Sequence, residues 1–144
     1  MFVQAIFSFL FTLIACDTTE ITTTTRCNID IPVIEENLYV GEAATIQAYP
    51  MTEKWDTLVE FDGIEADITS IKKENCEDCE ECRELNSCTD CDYCSSCTDT
   101  CQACIHSVDV IVPTALSGDA YLVITNINGS SDPVPVSIQE SLAE

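Results

Sequence analysis

Apolar and polar positions alternate in short runs over most of this sequence. Asn28-Ile29-Asp30-Ile31-Pro32-Val33 places Ile29, Ile31 and Val33 on one face of an extended segment. Thr45-Ile46-Gln47-Ala48-Tyr49 is a second short run, and Leu58-Val59-Glu60-Phe61 leads into Asp62-Gly63, a dipeptide that favours a tight turn. Ile64 to Ile71 is extended and rich in β-branched residues, which suit strands. Val108, Val110 and Val112 alternate with Asp109 and Ile111 until Pro113 ends the run. Ala120 to Ile127 is the most apolar run, bounded by Ser117-Gly118 and Asn128-Gly129, and Val134, Val136 and Ile138 follow. About seven short strands separated by turn signals predict an all-β chain folded as a β-sandwich. Pro32 and Pro135 fall at outward positions of the first and last runs, so those two are expected at sheet edges, where a missing N–H costs no ladder bond.

Two stretches break the pattern. The first is the start. Phe2 to Ala15 is an apolar run interrupted by Gln4, Ser8 and Thr12, with no Lys or Arg before it. It is short for a membrane span and fits the apolar region of a secretory signal. Its end, Leu13-Ile14-Ala15-Cys16, resembles the lipobox of bacterial lipoproteins. That resemblance implies a signal peptide over 1–15, cleavage before Cys16 and covalent diacylglycerol on the Cys16 thiol. The mature protein is then held to a membrane by its lipid, outside the cytoplasm, in the periplasmic leaflet or at the cell surface. An ordinary cleaved signal peptide that happens to include Cys16 is the plainer alternative. Residues 16–26, rich in threonine, read as a lipid-bearing tether, with the start of an edge strand as the alternative.

The second stretch is residues 74–106, which hold Cys76, Cys79, Cys82, Cys88, Cys91, Cys94, Cys97, Cys101 and Cys104. Cys27 stands apart, just before the first apolar run. The chain has eleven cysteines, and lipidation of Cys16 leaves an even ten. An even number closes into disulfides with none left over. The segment is acidic, and Leu85 and Tyr93 are its sizeable apolar side chains, so it has no core of its own and needs staples. Three chemistries fit the spacing. Disulfides among these cysteines, with Cys27 tied in, suit an oxidising compartment. Cys91, Cys94, Cys97 and Cys101 carry the C-x2-C-x2-C-x3-C spacing of an iron–sulfur site, with Gln102 where a proline usually follows. Thiolate binding of zinc or copper is the third.

Charge narrows the partners. Asp and Glu total 26 against 5 Lys and Arg, a formal charge of −21. Such an excess argues against nucleic acid, itself a polyanion, and leaves divalent cations or basic partners open. His106 is the one histidine in the sequence, which excludes multi-histidine metal centres. No nucleophile elbow, phosphate loop, zinc-hydrolase helix or calcium loop is present, so no catalytic residue and no enzyme activity are expected.

A family resemblance adds to this. Val59-Glu60-Phe61-Asp62-Gly63-Ile64-Glu65-Ala66, the Val108-to-Pro113 run, Ser117-Gly118 and Tyr121 through Ser130 are similar, in that order, to motifs of the IPT/TIG immunoglobulin-like domains. The likeness covers about Val40 to Ile138, while Val40 to Tyr49 keeps only part of the family's opening motif. It implies an immunoglobulin-like β-sandwich over 27–140, with the cysteine segment 74–106 inserted between two strands as an irregular disulfide-rich loop. It also implies a binding, adhesion or structural module, since the fold itself carries no catalysis. The expectation is a membrane-anchored envelope lipoprotein without a cofactor beyond its lipid, meeting a protein or surface partner. The alternative is a metal-binding or redox protein that uses the cysteines from Cys76 to Cys104.

Overall fold

The computed structural model describes residues 28–88 and 94–141. Cys16, expected to carry lipid, the expected tether 16–26, Cys27 and Cys91 lie outside the described residues.

The chain is mostly strand. In order the strands are β1 (Leu38–Tyr39), β2 (Ala43–Gln47), β3 (Leu58–Phe61), β4 (Ile64–Glu65), β5 (Asp67–Glu74), β6 (Ile105–Ile111), β7 (Gly118–Asn126), β8 (Gly129–Ser130) and β9 (Val134–Gln139). Between β5 and β6 come a helix α1 (Glu77–Leu85), a 3-10 turn (Ser95–Cys97) and a short helix α2 (Thr98–Cys101). One sheet runs β2-β6-β5, antiparallel throughout. The other runs β1-β9-β7-β3-β4, with β8 paired to β7, and is mixed because β1 lies parallel to β9.

Both sheets contribute to one hydrophobic core. Ala44 and Ile46 of β2, Ile68 of β5 and Val108 and Val110 of β6 meet Val59 and Phe61 of β3, Leu122 and Ile124 of β7 and Ile138 of β9. The alternation in β6 works as the sequence implied. Val108, Val110 and Val112 are fully buried, and Asp109 points away from the core. The outward face is tied together at Asp109. Thr45 Oγ1 donates to its Oδ1 at 2.8 Å, Ser70 Oγ to its Oδ2 at 2.6 Å, and Lys72 Nζ forms an ion pair with Oδ2. Register puts Thr45 and Ser70 directly opposite Asp109 on its two flanks. The Lys72 ion pair, followed by the two hydroxyl donors, holds the Asp109 carboxyl down at a pKa of about 2.

The β3–β4 turn also follows the sequence. Asp62 and Gly63 both take positive φ, 49° and 77°, as a two-residue hairpin turn of the twisted kind requires. Asp62 then reaches across to β7, accepting from Tyr121 N at 2.7 Å through Oδ1.

The first apolar run departs from expectation. Residues 28–33 form no strand beyond a single antiparallel bridge, Val33 to Gln47. Ile29 is buried, while Ile31 is 64 % and Val33 51 % exposed, so the three do not share a core face. Pro32 is buried rather than outward. The segment runs antiparallel beside the end of β2 without forming a continuous ladder, held by Asp30 N donating to Tyr49 O at 2.7 Å and by Val33 N and Gln47 N exchanging bonds with each other's carbonyls at 2.8 and 2.9 Å. Pro135 points outward as expected, but β9 is not an edge strand: it lies between β1 and β7, and the proline is tolerated because β1 pairs only with Ile138 and Gln139.

Candidate functional site

The cysteine segment leaves the smaller sheet at its end and returns to the same place. The last register pair of β5 and β6 is Glu74 with Ile105. Asn75, at φ 55°, turns the chain out of β5. Helix α1 then begins behind Cys76. Its first turn carries Glu77, Asp78 and Glu80 and its last turn Arg83, the arrangement that complements a helix dipole. It contains neither Gly nor Pro. Asn86 N donates to Cys82 O at 3.1 Å and Cys88 N to Arg83 O at 2.8 Å, so the last carbonyls are capped as the chain reverses. The return strand of the hairpin is the 3-10 turn, α2 and the approach to β6.

The helix has almost nothing apolar to bury. Leu85 is 79 % exposed, and Cys79 is the buried residue of the element. What holds it is its cysteine spacing. Cys76, Cys79 and Cys82 recur every third residue, which stacks them along one helix face. Cys94, Cys97, Cys101 and Cys104, spaced three, four and three apart, face them from the returning side. The pairs are Cys76–Cys104, Cys79–Cys101, Cys82–Cys97 and Cys88–Cys94, with Cα separations of 4.3, 4.6, 5.8 and 6.1 Å. Each bridge nests inside the one before, so the segment is a ladder with four rungs among the described residues. It is a helical hairpin, not the irregular loop expected.

Nesting changes the energetics. A disulfide acts largely by removing loop entropy from the unfolded chain, roughly 2–4 kcal/mol when it closes a loop alone. Here each rung closes only the few residues between itself and the next. Successive rungs therefore add less than that, while together they fix a segment that has no core.

The lowest rung packs against the domain. The Cys76 and Cys104 sulfurs and a ring nitrogen of His106 all lie within 4.8 Å of one another. His106 is buried on β6, accepts from Met51 N at 3.1 Å through Nδ1, and lies 4.6 Å from the Tyr49 ring with the two planes tilted by 49°. Arg83 of α1 sits over Tyr49, its guanidinium carbon 5.9 Å from the ring centroid. The hairpin is thus seated on an aromatic pair at the sheet's end. Cys-Cys-His is a donor set suited to zinc, but cystine sulfurs offer no thiolate, so this set could hold a metal only after reduction.

Of the cysteines with iron–sulfur spacing, Cys94, Cys97 and Cys101 are each bonded to a different partner on the outgoing side: Cys88, Cys82 and Cys79. Their sulfurs are consumed by disulfides. The one close approach among them is Cys94 Sγ to Cys97 Sγ, 3.5 Å apart in adjacent rungs. Asn86 Nδ2 lies 3.7 Å from both sulfurs of the Cys82–Cys97 rung.

Sequence reasoning missed His106 as part of this site. The signal was present: two residues beyond Cys104 on a strand whose even positions face inward, its side chain points the same way as the core valines. No family model, curated protein or solved structure matches this chain.

Proposed function

We propose that this protein is a membrane-anchored bacterial envelope lipoprotein whose folded part is a non-enzymatic binding or structural module of the immunoglobulin-like class. The single observation that carries the reading is the disulfide ladder. Four nested bridges in a segment without a core belong to an oxidising compartment, where such bridges form and persist. The lipobox-like Leu13-Ile14-Ala15-Cys16 supplies the route there.

Strand order supports the immunoglobulin-like class. Lettered along the chain, β2, β5 and β6 take the places of strands B, D and E, and their order β2-β6-β5 is B-E-D. β3, β7 and β9 take the places of C, F and G, adjacent in that order, with β4 beyond β3 as an added C′. The bridge from Val33 to Gln47 fits this segment in the role of strand A beside B. The runs that resemble IPT/TIG motifs lie on β3–β4, β6 and β7. The cysteine ladder then stands between strands D and E, projecting from the end of one sheet.

The test is fractionation with a lipid readout. Wild type should partition with membranes and carry a diacylglyceryl mass on a chain that starts at Cys16. Cys16→Ser should be released into the soluble envelope or medium. A membrane-bound Cys16→Ser protein, or a mature chain that starts elsewhere, would contradict the anchor.

A further inference from the structure

We propose that the two outermost rungs of the ladder form a thiol–disulfide relay, in which opening Cys88–Cys94 passes the break inward to Cys82–Cys97. This activity is independent of the lipid anchor and of the binding role.

The geometry has three parts. The two rungs touch, with Cys94 Sγ 3.5 Å from Cys97 Sγ, which is contact distance for two sulfurs. Exposure is asymmetric: Cys94 and Cys97 are buried, whereas Cys88 and Cys82 are half-buried. Hydrogen-bond donors flank the sulfurs that would carry charge. Ser96 Oγ lies 3.5 Å from Cys94 Sγ, and Asn86 Nδ2 lies 3.7 Å from Cys82 Sγ.

These features order the chemistry. A thiolate from an external dithiol attacks the accessible Cys88 sulfur. The Cys88–Cys94 bond breaks, a mixed disulfide forms on Cys88, and Cys94 leaves with the electron pair as a thiolate. The Ser96 hydroxyl donates to that thiolate. Cys94 then attacks Cys97, already in contact. The Cys94–Cys97 bond forms, the Cys82–Cys97 bond breaks, and Cys82 leaves as a thiolate that takes a proton from water. The dithiol's second thiol resolves the mixed disulfide on Cys88, leaving as an oxidised cyclic disulfide. Two electrons have passed from the dithiol to the protein. The free thiols are then Cys82 and Cys88, not the two partners of the rung first opened. Asn86 is a positioning residue here: its amide stabilises the charge on the departing Cys82.

The relay leaves the lower rungs Cys76–Cys104 and Cys79–Cys101 closed, so the hairpin stays attached while the Cys88–Cys94 closure is lost. That is the behaviour of a redox-responsive outer closure on a fixed base.

The experiment uses the full chain and limiting dithiothreitol, a neutral dithiol that the acidic helix surface does not repel. Samples are trapped with a fast alkylating reagent. Cleavage after Arg83, Asp92 and Asp99 then separates the positions for mass mapping. The relay predicts label on Cys82 and Cys88, with the label on Cys82 overtaking that on Cys94, and an internally linked Cys94–Cys97 peptide. Label confined to Cys88 and Cys94, or appearing first on Cys76 and Cys104, overturns it. Asn86→Ala should lower the Cys82 share by about threefold, the size of one modest hydrogen bond, with entry at Cys88 unchanged. Faster labelling of every cysteine in that variant would mean Asn86 only props the fold, and would overturn its positioning role.

Discussion

Cys76 and Cys104 are joined with their Cα atoms 4.3 Å apart, just beyond Glu74 and Ile105, the last register pair of β5 and β6. The bridge therefore continues the sheet's ladder by one covalent rung. The described residues between Glu77 and Ala103 lie beyond it, touching the domain again where Arg83 sits over Tyr49 and Glu80 meets Lys73. The neck is the one covalent link between domain and hairpin among the described bridges, and it predicts how each behaves without the other.

Because β5 and β6 are antiparallel neighbours already in register, the hairpin is not needed to align them. Replacing residues 75–104 by Asn-Gly should give a tight hairpin between Glu74 and Ile105 and a domain that still folds cooperatively. Circular dichroism and urea unfolding would read this. A molten or unfolded product would mean that the ladder is part of the domain's folding unit.

Opening the neck alone should have a local effect. The double variant Cys76→Ala, Cys104→Ala leaves the inner rungs in place, so its cost falls at or below the roughly 2–4 kcal/mol of an isolated bridge. Hydrogen exchange should rise at Lys73, Glu74, Ile105 and His106 and stay unchanged in β3 and β7. A uniform rise across both sheets would contradict a bridge that acts only at the neck.

Asp109 gives a pH signature. Its carboxyl titrates at about 2 in the folded protein, below the ordinary 3.8, because Lys72 and two hydroxyls favour the charged form. A depressed folded-state pKa means stability that is present above the unfolded value and lost as pH falls through the folded one. The stability difference between wild type and Asp109→Asn should thus be constant above about pH 5 and shrink toward pH 2. Taking the difference removes the general effect of protonating the many other carboxylates. A difference independent of pH would show that Asp109 contributes packing rather than charge.

Gly63 tests the hairpin turn. It sits at φ 77° with nothing within 4 Å of where a Cβ would be, so Gly63→Ala adds conformational strain without a clash. The expected cost is about 1 kcal/mol in urea unfolding. A neutral effect would mean that the turn takes another conformation in solution.

Much of the fold was legible where burial is one-sided. The β3 run, its Asp-Gly turn and the alternating valines of β6 sit in the structure as the sequence has them, because a period of two leaves only one face to bury. The alternation of Ile29, Ile31 and Val33 misled, because the segment pairs with β2 only at one bridge and, of the three, Ile29 alone reaches the core. The two-residue β1 carries no periodic signal at all; tertiary pairing with β9 creates it. Helix α1 was missed for a different reason. Helical reading looks for apolar periodicity, and here the i, i+3 positions are cysteines whose burial comes from bonds rather than from a core. The pairing itself cannot be read from spacing, because ten cysteines permit many connectivities.

The most direct measurement is a disulfide map of the unreduced, unperturbed protein, digested under acidic conditions that suppress exchange. The nested ladder requires linked peptides for Cys76–Cys104, Cys79–Cys101, Cys82–Cys97 and Cys88–Cys94. Bridges within single Cys-x-x-Cys units would contradict the nesting, and free thiols released together with stoichiometric iron, zinc or copper would contradict the ladder altogether and make the segment a metal site.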